Sequence, residues 1–487
     1  MKQKFNGRIL VLGYGSVSRC TLPLLLKHLD VAPSNITVMD YARIPAYAQA
    51  VRALGCRFVR EKIERATLGA QLGQYLSRGD LLIDLAWNIG CNDIVQWCHD
   101  HDVLYINTSV EMWDPYEGAE NKPPQERTLY VRQMALRKMI AGWKNKKGAS
   151  AVLDHGANPG LVQHFTKRAL ADIAEKWLTE HKKKTERRDL IQHAFRGRQW
   201  NHLAHHLGVK VIHISERDTQ VADQPKLVDE FVNTWSIEGF FEEGTAPAEM
   251  GWGTHEKTLP PNACVHAYGP LNQICLATMG IRTWVRSWVP HEEIVGMVVR
   301  HGEAFSISDY LTVWNDGRPL YRPTVHYAYH PCDAAIVSLH ELMMRNYRIQ
   351  PQLRIMGDEI TQGQDKLGCL LMGHDYRSWW IGSLLDIHET RKLAPGQNAT
   401  TLQVAASVLA AVVWMIQNPR QGVNLPDALP HEFILKHALP YLGPFISEPV
   451  NWSPLDNWDS DFARYRQPKP APEDAWQFGT FLMRGSA

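Results

Sequence analysis

A short apolar run, followed at once by two glycines and a helix-forming segment, constrains the N-terminal part of the chain most strongly. Residues 9–12 are Ile-Leu-Val-Leu, a composition typical of a strand that is buried on both faces. Gly13 and Gly15 follow, and residues 21–29 then have the apolar composition of a helix. This order matches the strand–turn–helix unit that binds the pyrophosphate of a dinucleotide.

The details of this turn favour a particular cofactor. Gly13 is expected to make the tight turn, Gly15 to let the pyrophosphate approach, and Ser18 to replace the third glycine of the fingerprint. Asp40 ends the next strand, where an acid accepts hydrogen bonds from ribose hydroxyls and repels a 2′-phosphate. We therefore predict NAD rather than NADP. The alternative is an ordinary glycine-rich turn without a ligand. The predicted cofactor contacts are Gly13, Tyr14, Gly15, Ser16, Val17, Asp40, Leu85, Ala86, Thr108, Gly156, Asn158 and Pro159.

Length and composition set the class of protein. A chain of 487 residues predicts two domains, and 52 basic against 51 acidic residues give a net charge of +1, which favours neither a nucleic-acid nor a membrane partner. The eight cysteines contain no C-x-x-C pair and are interpreted as reduced thiols. No signal peptide is evident, and the apolar segment 404–416 is too short to span a bilayer. We expect a cytoplasmic protein.

Strands and helices alternate over the first third of the sequence. This pattern predicts an α/β domain over residues 1–148 with a Rossmann-type, doubly wound parallel sheet. Residues 149–487 are expected to form an α+β domain with a mixed or antiparallel sheet, including β-rich segments at 282–289, 294–300 and 304–307. We expect the helix at 402–417 to pack back onto the core, and residues 445–487 to form an irregular tail.

Several polar and aromatic residues are candidates for a site, and each has a simpler interpretation. Glu111 follows a strand on the ligand side but is equally a helix-cap or surface carboxylate. Asn158 precedes proline, as in ordinary turns. Glu216 and Asp218 flank Arg217, which favours an internal ion pair, and Trp235 offers either a face to a cation or simple core packing.

Three further candidates lie later in the chain, and one apparent motif is rejected. His301 and Glu303 straddle Gly302, and Asp365 lies in a polar turn. The i, i+4 pair of histidines in the segment 326–330 could bind a metal only on a helix, but the aromatic content favours a strand, so no metal is expected. No G-x-S-x-G or P-loop motif is present, which argues against a serine hydrolase or a kinase.

Longer strings carry a resemblance that spans nearly the whole chain. Gly-Ala-Asn-Pro-Gly at 156–160, Ile-Ser-Glu-Arg-Asp-Thr-Gln at 214–220, Asn-Thr-Trp-Ser-Ile-Glu-Gly-Phe at 233–240 and Ala-Pro-Gly-Gln-Asn-Ala-Thr at 394–400 resemble bacterial homospermidine synthase. So do the strings at 13–23, 249–254 and 321–332. This family is related to saccharopine dehydrogenase. The resemblance implies condensation of two putrescines into sym-homospermidine with release of ammonia, NAD as a recycled hydride carrier, and a homodimer.

The resemblance also assigns roles to individual residues. It implies that Trp235 holds the polyamine cation over its ring. It also implies that carboxylates and an amide bind the substrate amino groups. The residues implied in catalysis are Trp235, Asn158, Glu216, His301, Glu303 and Asp365, and those implied in substrate binding are Glu111, Glu243 and Asn88. Asn88 departs from the family, which can have an acid at this position. Either a carboxylate or His301 is expected to remove the proton that must leave before hydride transfer.

Two other functions remain open at this point. A dehydrogenase acting on carboxylated imines with NAD(P)H, as in carboxynorspermidine or saccharopine metabolism, would need arginines where the matched positions here are acidic and aromatic. A non-catalytic NAD-binding sensor would not need the acids at all. The preferred diamine is also open.

Overall fold

Short parallel strands alternate with helices over the first 152 residues in the computed structural model, which describes residues 2–458 and 468–483. The elements of this region are β1 (Gln3–Lys4), β2 (Ile9–Leu12), α1 (Ser16–His28), β3 (Leu29–Asp30), β4 (Ile36–Asp40), α2 (Pro45–Ala53), β5 (Arg57–Arg60), α3 (Leu68–Tyr75), β6 (Leu81–Asp84), α4 (Cys91–Asp100), β7 (Leu104–Asn107), α5 (Leu129–Ala141) and β8 (Ala151–Val152). The central strands are apolar and buried on both faces, as a parallel sheet between two helix layers requires.

Longer strands dominate the remainder of the chain. Its elements are α6 (Leu161–Glu180), α7 (Glu186–Arg196), α8 (Trp200–Leu207), β9 (Val211–Asp218), β10 (Val221–Ala222), β11 (Glu230–Asn233), α9 (Ile237–Thr245), β12 (Pro247–Gly251), β13 (Ala263–Val265), β14 (Gln273–Met279), β15 (Trp284–Val289), β16 (Glu292–Met297), α10 (Gly302–Tyr310), β17 (Val313–Asn315), β18 (Arg318–Tyr321), β19 (Thr324–His330), α11 (Asp333–Met344), β20 (Gln352–Ile355), β21 (Ile360–Gln362), β22 (Gln364–Met372), β23 (Ser378–Asp386), α12 (Ile387–Leu393), α13 (Ala399–Gln417), β24 (Val423–Asn424), α14 (His431–Ala438), β25 (Phe445–Val450) and α15 (Phe478–Phe481).

The first sheet is parallel throughout, with strand order β24-β8-β7-β6-β2-β4-β5. The order reverses direction at β2, which lies between β6 and β4, and ligands of such sheets bind beyond the carboxyl ends of the strands at this point. The predicted boundary at residue 148 assigns β8 and β24 to the second domain, whereas their backbone pairing places both in the first sheet.

The second sheet is mixed, as predicted, and its long path runs β13-β14-β12-β19-β9-β22-β23-β25, with β15 and β16 attached to β19. Strand β9 lies at its centre, parallel to β19 and antiparallel to β22. β9 extends to Asp218 because the ladder with β19 reaches Arg217 and the ladder with β22 reaches Asp218. Its polar end therefore alternates between two faces of a sheet.

One continuous core joins the two sheets, and α6 and α13 contribute to it. Helix α13 packs against α1 and α14, which confirms the predicted packing of this helix onto the core. It is longer than predicted. Among the described residues it is the one helix whose length and composition would allow a membrane crossing, and it lies almost entirely inside the protein.

Three local predictions are wrong, and one concerns Asp365, which is predicted to lie in a polar turn but lies in strand β22 because its backbone pairs with β9 and β23. Residues 304–307, predicted as a strand, lie within helix α10, because β-branched and aromatic side chains also fill a buried helix when tertiary packing covers them on all sides. The predicted irregular tail begins with strand β25, which pairs with β23 and forms an edge of the sheet. The parts of that tail at 459–467 and 484–487 lie outside the described residues.

Candidate active site

A cavity of about 860 Å³ lies between the carboxyl ends of the first sheet and the face of the second. Most of the predicted site residues line it, namely Gly13, Gly15, Ser16, Val17, Asp40, Leu85, Ala86, Asn88, Thr108, Glu111, Gly156, Asn158, Pro159, Glu216, Trp235, Glu243 and His301. Glu303 and Asp365 are completely buried and do not line it. Tyr14 is buried with its ring edge-on to Tyr47, so its side chain faces the core rather than the cavity.

The glycine turn leaves room for a phosphate group at the start of α1. Gly13 has φ +80°, and a Cβ there would come within 2.9 Å of the Leu85 carbonyl oxygen. A Cβ on Gly15 would meet nothing within 4 Å, so the turn is open on the cavity side. No side chain caps α1 and no acid lies in its first turn. This helix end therefore offers free N–H groups to an anion, as dinucleotide pyrophosphates require.

Asp40 lies at the end of β4, beside this turn. Its Oδ2 accepts a hydrogen bond of 2.6 Å from the Tyr14 N–H, and its Oδ1 accepts one of 2.7 Å from the Ala42 N–H. These bonds hold the carboxylate at the rim of the cavity, and each oxygen keeps a lone pair for a ribose hydroxyl. The geometry of turn, helix end and acid fits a dinucleotide with an unphosphorylated ribose.

The Gly-Ala-Asn-Pro-Gly turn closes the cavity between β8 and α6. The Gly156 N–H donates to the Pro159 carbonyl at 2.7 Å, and Gly160 has φ +132°. A Cβ on Gly160 would lie 1.8 Å from the Gly156 carbonyl oxygen, so no other residue fits there. This tight loop directs Asn158 toward the second sheet, where its Nδ2 donates to Glu216 Oε2 at 3.0 Å.

Three buried carboxylates meet on one face of the second sheet. Glu216 and Asp218 share a face of β9 because they are two residues apart, and Asp365 on β22 is the register partner of Asp218. Arg217 projects from the opposite face and pairs with Glu292 and Asp333, so the predicted ion pair with its sequence neighbours does not form. In the described part of the chain no Lys or Arg forms an ion pair with any of the three.

Hydrogen bonds from neutral groups hold these carboxylates. The Tyr327 hydroxyl donates to Glu216 Oε2 at 2.6 Å, and the Thr400 hydroxyl donates to Asp365 Oδ2 at 2.5 Å. The Asp218 Oδ2 accepts from the Thr234 hydroxyl at 2.6 Å. Burial raises the pKa of Glu216 to about 7, and burial together with the carboxyl groups of Glu216 and Asp218 raises the pKa of Asp365 well above its usual value. The cluster is therefore poised to bind a cation.

Trp235 forms an aromatic wall beside this cluster. Its Nε1 donates to the Tyr329 hydroxyl at 2.9 Å, which sets the orientation of the indole. The ring packs on Phe240 with a centroid distance of 5.4 Å, and Tyr329 stacks on Tyr327 at 4.9 Å. Trp235 is half-buried and lines the cavity, so it presents π surface to a cation held near Glu216.

His301 lies between two carboxylates at the start of α10. Its Nε2 is 3.1 Å from Glu243 Oε2, and its Nδ1 is 3.3 Å from Glu303 Oε1. Burial by itself would lower the pKa of His301, but the charges of Glu303 and Glu243 outweigh it and raise this pKa well above 6.5. The imidazole is therefore held as a cation at neutral pH and is unsuited to act as a base.

Acceptor atoms without a donor surround the cavity. Within the described residues, no hydrogen-bond partner reaches Asn88 Oδ1 and Glu111 Oε2 in the cavity wall, or Asp365 Oδ1 behind it, although all of these atoms are buried. Buried acceptors normally find donors, and leaving them unpaired costs free energy. Their arrangement indicates a ligand with several N–H donors, such as a protonated amine.

The distal part of the cavity combines Glu111 with an ion-pair network. Burial raises the pKa of Glu111 to about 7, and its Oε1 accepts from the Ser109 hydroxyl at 2.7 Å. Glu242 behaves differently. Burial by itself would raise its pKa, but the guanidinium groups of Arg300 and Arg132 outweigh burial and lower the pKa to about 2. Its charge is already neutralised, so Glu111 remains as an acid available to a ligand here, together with Glu243, which shares the His301 cation with Glu303.

Sequence reasoning missed several residues of the cavity wall. These are Arg132, Gln133, Asp154, Glu238, Tyr327 and Thr400. Tyr327 could have been found, because it is two residues from Tyr329 in a predicted strand and so shares its face. Asp154 could not have been found from the sequence. Its backbone has φ +55°, and its side chain accepts a hydrogen bond of 2.8 Å from Gln133 Nε2 because distant segments pack together. Among the described residues no group of three or more His, Cys, Asp or Glu side chains has an arrangement that could hold a metal ion.

Comparisons with known proteins agree with this arrangement. A family model described as the saccharopine dehydrogenase NADP binding domain matches residues 9–152, and one described as the saccharopine dehydrogenase C-terminal domain matches residues 156–448. The homospermidine synthase of Blastochloris viridis is 40% identical over 494 aligned residues, covering 99% of this chain and 98% of its own length. That of Mesorhizobium japonicum is 38% identical, with coverages of 99% and 97%.

Solved structures extend the similarity to three dimensions. The crystal structure of the homospermidine synthase of Legionella pneumophila in complex with NAD has a TM-score of 0.88 and 34% identity, and the match covers 99% of both chains. Saccharopine dehydrogenase of Saccharomyces cerevisiae has a TM-score of 0.50 at 12% identity, which shows a shared fold alone. Both similarities include the second sheet as well as the first, since they cover at least nine-tenths of this chain.

Proposed function

The chain belongs to the homospermidine synthase family, and we propose that it condenses two molecules of putrescine into sym-homospermidine with release of ammonia. Bound NAD would supply the hydride chemistry, as acceptor of a hydride from the carbon beside the reacting nitrogen and as its donor at the end of the same cycle. The single observation that carries the choice of substrate is the set of buried acceptor atoms without donors around a tryptophan-lined cavity. Putrescine is a dication at neutral pH, since amines titrate near ~10, and it supplies the missing donors.

The two ends of the diamine bind to different acids in this proposal. Glu216 and Asn158 orient the reacting amine beside the glycine turn, where the cofactor would bind, and Asp365 acts from behind the cavity wall through Glu216. Glu111 and Glu243, which also line the cavity, hold the distal ammonium. Buried carboxylates are tolerable in such a pocket because the cationic substrate balances their charge.

Glu216 is the base in this proposal. The reacting ammonium must lose a proton before hydride can leave the neighbouring carbon. Glu216 has a pKa of about 7, which is near the operating pH that favours proton transfer, whereas His301 is held protonated by Glu243 and Glu303. The iminium that follows is stabilised by the face of Trp235 and by the acids, and the enclosed cavity limits its hydrolysis to an aldehyde.

Incubation of the protein with putrescine and a small amount of NAD tests the function directly. We expect sym-homospermidine and ammonia in amounts that exceed the NAD supplied, with no lasting accumulation of NADH. Product analysis by mass spectrometry and absorbance at the NADH band are the two measurements. Stoichiometric accumulation of NADH would instead support a net-redox dehydrogenase, and the absence of turnover with putrescine and other diamines would support a non-catalytic sensor.

Putrescine affinity is expected to rise with pH. Burial raises the pKa of both Glu216 and Glu111 to about 7 in the free protein, and a bound dication favours their ionised forms, so binding releases protons. Between pH 6 and pH 8 the Kd should fall by about tenfold for each carboxyl that ionises on binding. Calorimetry with NADH present, which cannot accept the first hydride and so prevents turnover, measures both the Kd and the proton release in buffers of different ionisation enthalpy. Affinity that is flat over this range, or tighter at pH 6, would contradict the assignment.

Replacement of Asp40 by alanine is expected to weaken NAD binding by about tenfold to a hundredfold, because the carboxylate that the Tyr14 and Ala42 N–H groups hold at the cavity rim would no longer accept hydrogen bonds from the ribose hydroxyls. Titration of NADH fluorescence measures this change. Putrescine affinity at saturating NADH, which prevents turnover, should stay unchanged in this variant, since Asp40 lies beside the glycine turn of the first sheet and Glu216 lies on the second sheet. Equal NAD affinity in the variant and the wild type would refute the role of Asp40.

The proposal also includes a homodimer and a cytoplasmic location. The homodimer is supported by the resemblance to bacterial homospermidine synthases, and the location by the balanced charge and the free cysteines. Analytical ultracentrifugation tests the oligomeric state, and a single monomer boundary at micromolar concentration would refute the dimer. Cell fractionation tests the location.

A further inference from the structure

Two of the eight cysteines face each other at an edge of the second sheet. In the antiparallel pair formed by β13 and β14, Cys264 is the register partner of Cys275, so both side chains lie on the same face. β13 is the terminal strand of the sheet. Cys264 is partly exposed and Cys275 is buried beneath it. The pair therefore has one thiol within reach of solvent and one directly behind it.

The backbone geometry suits a covalent bond between them. The Ala277 N–H donates to the Asn262 carbonyl at 2.9 Å, two residues along the ladder from the cysteines. Hydrogen-bonded pairs recur at every second residue, so Cys264 and Cys275 also form such a pair, with Cα atoms about 5.5 Å apart. Disulfides span Cα distances of about 4.4 to 6.8 Å. Burial, the Glu249 carboxyl and the neighbouring Cys264 thiol raise the pKa of Cys275, so Cys275 stays a protonated thiol and the first attack on an oxidant falls to the more exposed Cys264.

The other cysteines lack this combination. The remaining six are all buried. Cys91 and Cys98 lie seven residues apart on α4, and the helical rise separates their Cα atoms by about 10 Å, beyond the reach of a disulfide. Cys369 Sγ lies 3.2 Å from the Val162 carbonyl inside the core.

We propose that Cys264 and Cys275 form a reversible disulfide, a redox modification site that is separate from the catalytic cavity. The oxidant is a hydroperoxide, here hydrogen peroxide. The Cys264 sulfur attacks one peroxide oxygen, the O–O bond breaks, and Cys264 sulfenic acid and one water molecule form. The Cys275 sulfur then displaces the hydroxyl group of the sulfenic acid, which leaves as water with the thiol proton. Two thiols lose two electrons in total, and one peroxide is reduced to two waters.

The disulfide closes a loop that rests on a wall of the cavity. Residues 265–274 connect the two cysteines and pack on α5: the Tyr130 hydroxyl donates to the Tyr268 carbonyl and accepts from the Leu271 N–H at 3.1 Å, and its ring stacks on His266 at 3.9 Å. Helix α5 supplies Leu129, Arg132 and Gln133 to the cavity wall. Oxidation therefore restrains the loop that holds α5 in place.

Peptide mapping of the full-length protein tests the proposal. Trypsin releases residues 258–282 as one peptide, because no Lys or Arg lies between Lys257 and Arg282, and this peptide contains both cysteines and no others. After treatment with hydrogen peroxide we expect the peptide to lose two hydrogen atoms in mass and to take up no iodoacetamide. Dithiothreitol should restore two alkylation sites. Two alkylated cysteines after peroxide, a sulfinic acid on Cys264, or a cross-link between two chains would each overturn the proposal.

Matched variants separate this pair from the other thiols. Cys264→Ser and Cys275→Ser should each prevent the internal cross-link, while Cys98→Ala, in the buried pair on α4, should leave it intact. Hydrogen exchange provides a second measurement: amides of residues 265–274 should exchange more slowly in oxidised than in reduced wild type, with no such difference in Cys264→Ser. Equal exchange in the two wild-type forms would overturn the restraint on the loop. Neither measurement depends on the reaction proposed above.

Discussion

Replacement of Glu216 by glutamine is expected to lower kcat by about a thousandfold, since a positioned general base contributes about 10² to 10⁴ in rate. Glutamine keeps the size of the side chain and its place beside Asn158 and Tyr327, but it cannot take the proton of the reacting amine. Steady-state production of homospermidine measures the loss. NADH affinity should not change, because Glu216 lies on the second sheet and the glycine turn on the first.

A second buried carboxyl group serves as the control for this variant. Burial raises the pKa of Glu256 to about 7, as it does for Glu216, but Glu256 accepts from the Thr324 hydroxyl at 2.6 Å and does not line the cavity. Glu256→Gln should therefore retain wild-type kcat. If Glu216→Gln keeps more than a tenth of the wild-type kcat, a different group is the base.

Removal of the Trp235 ring, in Trp235→Ala, is expected to lower kcat by about two orders of magnitude. A desolvated cation–π contact is worth about 2 kcal/mol or more, and it acts here on charge that develops during the reaction. The loss of its hydrogen bond to Tyr329 and of its contact with Phe240 adds to the effect. Turnover with putrescine is the measurement, with NADH affinity and the thermal unfolding midpoint as checks on the fold.

Trp235→Phe distinguishes the face of the ring from its hydrogen bond. Phenylalanine keeps a π face of smaller size but has no N–H for the Tyr329 hydroxyl. We expect its kcat to lie between those of the wild type and Trp235→Ala. Equal losses in the two variants would show that orientation by Tyr329, rather than the face itself, is what matters. Unchanged turnover in Trp235→Ala would exclude the cation–π role.

The first sheet and its ligand-binding edge are the parts of this protein that local sequence predicts best. Apolar runs such as Ile9–Leu12 are buried on both faces, and Gly13 is followed by a helix as the fingerprint requires. Asp40 lies beside the turn because carboxyl ends of neighbouring parallel strands meet at one edge. Each of these inferences uses residues that are close in sequence or one strand apart.

The acid cluster shows where such reasoning stops. From the residues alone, Glu216, Arg217 and Asp218 favoured an ion pair among neighbours, and only the resemblance to a family separated Glu216 from the others. The central position of β9 extends the strand through all three, so the two acids share one face, on which Glu216 lines the cavity, and Arg217 faces away. The strand then brings Asp365 alongside from nearly 150 residues later, which no local pattern encodes.

The amino-acid sequence by itself determined the parallel sheet, its dinucleotide-binding turn and, through its long matching strings, the family of the chain. Only the tertiary structure decided that His301 is held as a cation between Glu243 and Glu303, that residues 304–307 are helical, and that buried acceptors remain without donors. The physical reason is that protonation states and unpaired atoms depend on burial and on neighbours from distant segments, whereas periodicity and turn chemistry depend on residues nearby.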